Sequence, residues 1–163
     1  MKIQLSKTRI VKDAVTVWFE HGPEVDIVMD LKKLTFAPNS IEVIFAFHVL
    51  DHFFPEEVGE ALINWRKVLK GNGNAVFIIV DNFEYITRGF VGGDISVDLF
   101  NQQHACPTHF TQDNLIAVCK AAGYDDNQMK IWYLDVPDGQ NGTLFLKKEF
   151  ELVISAEKYE QTT

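Results

Sequence analysis

The sequence has few cysteines and no long apolar run, and each shortage excludes a class of protein. Only two cysteines occur among the 163 residues, Cys106 and Cys119, and they form no C-x-x-C pair. A disulfide framework or a cysteine-based metal site is therefore not expected. No apolar run is long enough to cross a bilayer, and the first residues are too polar for a signal peptide. These absences predict a cytoplasmic protein with reduced thiols and no membrane contact.

Positive charge is also scarce. The chain has 15 Lys and Arg against 23 Asp and Glu, which gives a formal net charge of -8. Such a surface repels phosphate backbones, so nucleic acid is not an expected partner. Hydrophobic residues make up 47% of the chain, enough for one buried core. We predict a single domain over residues 1–158 followed by a polar tail at residues 159–163, while the oligomeric state stays open.

Apolar runs in the first half of the chain predict a sheet and one helix. The β-favouring runs are Ile3 to Leu5, Ala14 to Phe19, Val25 to Met29, Ile41 to Phe47 and Ala75 to Val80. Runs with so few polar interruptions are typical of parallel strands buried on both faces. Between the last two runs, an apolar stripe at helical spacing predicts a helix from Pro55 to Lys70. The segment Gly71-Asn72-Gly73 is expected to end this helix in a left-handed conformation.

The second half of the chain is less regular. Asn82 to Phe110 is rich in aromatic residues, lacks clear periodicity and is too long for an ordinary connector. Thr111 is expected to cap a helix that ends before Gly123. Met129 to Val136 and Thr143 to Ala156 are β-rich and are separated by a turn-forming segment at residues 137–142. The pattern predicts an α/β fold, with a mostly parallel sheet and a C-terminal antiparallel strand pair.

Three stretches of this chain carry a family resemblance. Residues 30–44, DLKKLTFAPNSIEVI, look like the motif D-L-x-x-L-P-F-x-D-x-S-F-D-x-I, and residues 48–52, HVLDH, look like H-V-L-E-H. Residues 65–73, WRKVLKGNG, are similar to R-V-L-K-P-G-G. Together these stretches resemble the class I S-adenosylmethionine-dependent methyltransferases, and the resemblance runs from Ile3 to about Gly123. It implies a Rossmann-like fold with S-adenosylmethionine as cofactor.

The resemblance also implies roles for individual residues. Glu20 would accept hydrogen bonds from the ribose hydroxyls and Asp30 from the adenine amino group. Leu31, Phe47 and His48 would lie beside the cofactor. The glycine-rich loop of the family falls at residues 6–8, where Ser6 and Thr8 stand among residues without glycine. Three outcomes stay open: weak cofactor binding in an altered geometry, another ligand, or none.

His52 and His48 are the predicted catalytic residues, because a histidine beside the cofactor cleft can take a proton from an oxygen or nitrogen nucleophile. A structural role in the loop is the alternative. Their spacing would suit a metal, but no third ligand is adjacent in sequence, so no metal is expected. The predicted function is methyl transfer to a small-molecule or sugar-type acceptor. A catalytically inactive binding or scaffold domain of the same fold is the alternative.

Overall fold

The computed structural model describes residues 1–71, 74–81, 83–93, 96–124, 129–134 and 151–158. Its strands are β1 (Lys2–Leu5), β2 (Val15–Trp18), β3 (Ile27–Val28), β4 (Val43–Phe47), β5 (Asn74–Asp81), β6 (Lys130–Leu134) and β7 (Glu151–Lys158). Its helices are α1 (Pro55–Val68), α2 (Phe83–Gly92), α3 (Val97–His104) and α4 (Gln112–Ala121), with a short 3-10 turn at Leu50–His52. None of these helices is long and apolar enough to cross a membrane.

All of the described strands join one sheet in the order β3-β2-β1-β4-β5-β7-β6. The first five in this order pair in parallel, and β7 runs antiparallel to both β5 and β6. Ile3 on β1 lies opposite Val15 on one side and Ile44 on the other, so apolar side chains line up across the sheet. This architecture confirms the predicted mostly parallel α/β fold with its C-terminal antiparallel pair.

The connections in the first third of the chain are unusually short. Parallel neighbours normally need a crossover of a dozen or more residues, which usually contains a helix. Here β1 reaches its parallel partner β2 through residues 6–14, and no helix forms anywhere in residues 1–49. The chain therefore turns back tightly at the carboxyl end of β1, where ligands bind in open α/β sheets.

The two predicted helix ends differ in outcome. Helix α4 begins after Thr111, whose hydroxyl accepts from the Asn114 amide, and it is followed by Gly123 at φ +85, as predicted. The left-handed conformation predicted at the end of α1 is wrong at Gly71, because Gly71 is not among the described glycines that have a positive φ. Leu69 instead turns extended (φ -64, ψ 140) and forms a bridge with Ile41. Sheet pairing thus ends the helix before the glycine is reached.

The segment from residue 82 to 110, which shows no clear periodicity in the sequence, contains α2 and α3. Its glycines and aromatics have low intrinsic helix propensity, which hid the helices from a sequence analysis. Tertiary contacts compensate for the low helix propensity: Ile86 is fully buried, and the rings of Phe90 and Phe100 stack with centroids 4.1 Å apart. The predicted turn at residues 137–142 lies outside the described residues.

One buried side chain links α1 to the segment after β3. Trp65 is fully buried, and its indole N–H donates to the carbonyl oxygen of Leu31 at 2.7 Å. Its ring lies edge-on to Phe53, with centroids 6.4 Å apart. Because Leu31 follows directly on Asp30, this bond fixes the place where the predicted adenine-binding residues sit.

Replacing Trp65 by Phe should lower the free energy of unfolding by about 1–3 kcal/mol, because the carbonyl of Leu31 loses its buried donor. Urea unfolding would measure the change. Ile63→Ala is the control on the same helix, since Ile63 is 55% exposed and its truncation should change stability by no more than about 0.5 kcal/mol. Equal effects of the two substitutions would contradict this role of Trp65.

Candidate active site

A cavity of about 720 Å³ opens at the carboxyl edge of the parallel strands. Its lining residues come from the end of β2, the segment after β3 and the segment between β4 and α1: Trp18, Phe19, Asp30, Leu31, Lys32, Val49, His52, Phe53, Phe54 and Glu57. The volume is in the usual range for a small-molecule or cofactor site. This is also the place where an open α/β sheet binds its ligands.

Three charged side chains lie on one side of the cavity. Lys32 donates to Glu57 at 2.8 Å, and this bond raises the pKa of Lys32 and lowers the pKa of Glu57. Glu57 also accepts from the backbone N–H of Phe54 at 3.0 Å, at the start of α1. Asp30 is exposed, and its Oδ1 accepts from the backbone N–H of Lys32 at 2.9 Å. Asp30 is thereby held at the cavity with its other oxygen available for a ligand's donor.

Aromatic rings provide most of the remaining wall. Trp18 and Phe19 lie with ring centroids 4.8 Å apart at the end of β2. Phe19 and Phe54 are both more than half exposed, at 53% and 56%. Flat apolar surface of this kind suits a planar heterocycle. These rings were not among the predicted site residues, although two adjacent aromatic residues just before Glu20 are a usable signal in the sequence.

Side chains of β1 and of the loop itself hydrogen-bond to the backbone of the loop after β1. Gln4 is fully buried, and its Oε1 accepts from the backbone N–H groups of Ile10 and Val11 at 3.1 and 2.7 Å. Its Nε2 donates to the Thr16 hydroxyl at 2.7 Å. The hydroxyl of Ser6 donates to the carbonyl of Thr8 at 2.7 Å and accepts from its N–H at 3.2 Å.

These bonds decide what the loop can do for a ligand. A glycine-rich loop binds a cofactor because its backbone N–H groups point outward and nothing blocks the approach. Here the N–H groups of Thr8, Ile10 and Val11 are already bonded to Ser6 and Gln4. The residues present therefore fit the adenosine part of S-adenosylmethionine at the cavity, but the loop does not fit its methionine part.

The other predicted site residues are dispersed. Among the described residues, the cavity lining includes Asp30, Leu31 and His52 but not Ser6, Thr8, Glu20, Phe47 or His48. Glu20 is exposed just beyond the Trp18 and Phe19 pair. Phe47 stacks towards Phe45 on a face of the sheet, with ring centroids 6.4 Å apart. Only part of the predicted cofactor set thus meets at one place.

The two predicted catalytic histidines also separate. His52 is exposed and lines the cavity. His48, in a left-handed conformation with φ 48, places its Nδ1 near carboxylates of Asp51 and Asp81 at 3.7 and 3.6 Å. Burial raises the pKa of the neighbouring Cys106 thiol, and the negative charges of Asp51 and Asp81 raise it further. Because His52 lines the cavity and His48 lies beside the two carboxylates, His52 is the histidine placed to act on a ligand in the cavity.

Residues 3–77 match the family model described as a methyltransferase domain. Many solved structures share the fold. An S-adenosylmethionine-dependent methyltransferase from Archaeoglobus fulgidus superposes with a TM-score of 0.61 at 14% identity, over 89% of this chain and 76% of that one. One from Thermotoga maritima gives 0.62 at 16%, over 88% and 72%, and one from Methanosarcina mazei gives 0.56 at 12%, over 91% and 84%.

No curated protein is significantly similar in sequence to this chain. The family match and the shared fold nevertheless agree, and they confirm the predicted resemblance to the class I S-adenosylmethionine-dependent methyltransferases. The chain is a methyltransferase-fold protein whose loop after β1 is closed by its own side chains.

Gln4→Leu should lower the free energy of unfolding by about 1–3 kcal/mol, because a side chain of similar size leaves the N–H groups of Ile10 and Val11 without acceptors. Urea unfolding measures this loss, and faster hydrogen exchange at Val11 would locate it in the loop. The control is Lys7→Leu in the same loop, where the side chain is exposed. Unchanged stability of the Gln4 variant would show that the loop does not depend on this side chain.

Proposed function

We propose that this protein is a cytoplasmic S-adenosylmethionine-dependent methyltransferase that holds its cofactor mainly through adenosine and methylates a small-molecule or sugar-type acceptor. The observation that carries the proposal is the cavity where Asp30 and Leu31 meet the aromatic rings at the carboxyl edge of the sheet. The family match over residues 3–77 supports the same activity.

The adenosine part has a chemically suitable environment. A carboxylate such as Asp30 accepts from an exocyclic amino group, and the charge strengthens that hydrogen bond. Leu31 is 3% exposed and packs into the core, so it offers a rigid apolar contact rather than a mobile one. Glu20, exposed beyond Phe19, is proposed to accept from the ribose hydroxyls. The altered loop implies weaker binding of the methionine part.

Transfer itself makes modest demands on the protein. When bound, the cofactor supplies a methyl group on a positively charged sulfur, and aligning the acceptor with it provides most of the rate acceleration. His52 lines the cavity and is the candidate acceptor for the proton of a hydroxyl or amine. The net charge of -8 disfavours polyanionic substrates such as nucleic acids.

A second candidate function is ligand binding without transfer. It is favoured by the closed loop, since Gln4 and Ser6 occupy the N–H groups that would otherwise face the methionine part. In that case the cavity would bind an adenine-containing ligand for a structural or regulatory purpose. The two candidates differ in whether a methyl group leaves the cofactor.

Calorimetric titration should show that S-adenosylmethionine, S-adenosylhomocysteine and adenosine all bind, with adenosine retaining most of the binding free energy. Asp30→Asn should weaken each about tenfold or more, because a charged acceptor is replaced by a neutral one. Asp98→Asn, on an exposed position of α3, is the matched control. Absence of binding by all three ligands at about 1 mM would refute the adenosine site.

Release of S-adenosylhomocysteine in the presence of hydroxyl- and amine-bearing acceptors tests the transfer. His52→Ala should slow the transfer by about 10²–10⁴-fold if His52 accepts the proton, with cofactor affinity little changed. His21→Ala is the control, since His21 is an exposed histidine outside the cavity lining. Cofactor binding without any methyl transfer would favour the binding function instead.

A further inference from the structure

A second cluster of polar side chains lies where β4 and β5 end. His48 follows β4, Asp81 ends β5, and Asp51 belongs to the 3-10 turn between them. Nδ1 of His48 is 3.7 Å from an oxygen of Asp51 and 3.6 Å from an oxygen of Asp81. One nitrogen or oxygen atom from each of the three side chains lies within 4.8 Å of the other two.

Asp51 is the unusual member of this cluster. Its side chain is only 6% exposed, and its Oδ2 is the oxygen nearest to His48. Within the described part of the chain, its other oxygen, Oδ1, has no hydrogen-bond partner. Burying a carboxylate oxygen without a partner is costly, so such an atom normally bonds to a donor or a metal. The Asp81 side chain is also largely buried, at 14% exposed. Two carboxylates therefore sit close together with little solvent to separate their charges.

Space for a small ion exists beside the two carboxylates. Asp51 and Asp81, but not His48, border a cavity of about 10 Å³, together with Cys106, Thr108 and His109. Such a volume holds roughly one water molecule or one ion. The side chain of His48 is 36% exposed, so solvent reaches the cluster at this residue.

We propose that His48, Asp51 and Asp81 form a binding site for a divalent first-row transition-metal cation such as Mn²⁺ or Zn²⁺. One imidazole nitrogen and two carboxylate oxygens are a donor set suited to these ions. Ligand bonds of about 2.1 Å in tetrahedral geometry place donor atoms about 3.4 Å apart. The observed separations of 3.6 and 3.7 Å are close to this value.

The donor types and the distances favour a transition metal over Ca²⁺ or a directly hydrogen-bonded triad. Separations of 3.6 and 3.7 Å from Nδ1 of His48 exceed a normal hydrogen bond, so this nitrogen is not bonded directly to either carboxylate. Ca²⁺ takes six to eight oxygen ligands, whereas a nitrogen and two carboxylates favour a transition metal. No metal was expected from the sequence, because His48 and His52 had no adjacent third ligand. In the structure His52 lines the large cavity, and two aspartates lie beside His48 instead.

One short segment contributes residues to both the cluster and the large cavity. Val49, His52 and Phe53 line the large cavity, whereas Asp51 borders the small one. A cation held by His48 and Asp51 would therefore stiffen the segment that carries His52. The metal site does not depend on the proposed methyl transfer, and the two can be tested separately.

The test is titration of the metal-stripped full-length protein with Mn²⁺, followed by electron paramagnetic resonance, and with Zn²⁺, followed by calorimetry. We expect one cation per chain, with binding weakened more than about tenfold by His48→Gly, Asp51→Asn and Asp81→Asn. Glycine suits the left-handed backbone of residue 48. Asp51→Asn removes a buried charge, so the metal-free variant should remain at least as stable to heat as the wild type.

His52→Gln is the matched control, because it removes a nearby histidine that is not in the cluster and should leave cation affinity unchanged. Ca²⁺ should not compete with Mn²⁺ at similar concentration. The proposal is overturned if the wild type binds neither Mn²⁺ nor Zn²⁺ at about 1 mM, or if the three cluster variants bind as well as the wild type. It is also overturned if His52→Gln loses as much affinity as His48→Gly.

Discussion

The bond from the buried indole of Trp65 to the carbonyl of Leu31 joins helix α1 to the segment that follows β3. The large cavity depends on this connection, because its walls come from that segment, from the start of α1 and from the turn between β4 and α1. A second contact acts nearby, where Lys32 pairs with Glu57 on α1. A fully buried hydrogen bond and a partly exposed ion pair thus hold the same two pieces of chain, and the buried bond is the stronger constraint.

At the end of β1, the strand pairing of the fold is retained while the loop that would contact a ligand is altered. The strand pairs on both sides as a parallel sheet requires, yet the connection to β2 is too short to hold a helix. No helix stabilises this loop; instead the side-chain oxygen of Gln4 accepts hydrogen bonds from two backbone N–H groups of the loop. The loop gains internal stability, and the same bonds remove the donors that a cofactor would use.

The segment between β4 and α1 contributes side chains to two neighbouring sites. It directs His52 outward to the large cavity and Asp51 inward to the cluster with His48 and Asp81. His48, directly after β4, has a left-handed backbone with φ 48, which is uncommon for a residue other than glycine.

The sheet, helix α1, the Thr111 cap and the position of Asp30 and Leu31 could be predicted from the sequence, because strand and helix periodicity and capping are local properties. Which side chains meet depends on the tertiary structure. In the sequence Gln4 is an ordinary strand residue, and only the folded loop shows its hydrogen bonds to the backbone. Asp81 lies near His48 because β4 and β5 are paired. Helices α2 and α3 escaped prediction because packing overrides their weak propensity. Contacts between residues distant in the chain follow from strand order and turn geometry, which no local pattern records.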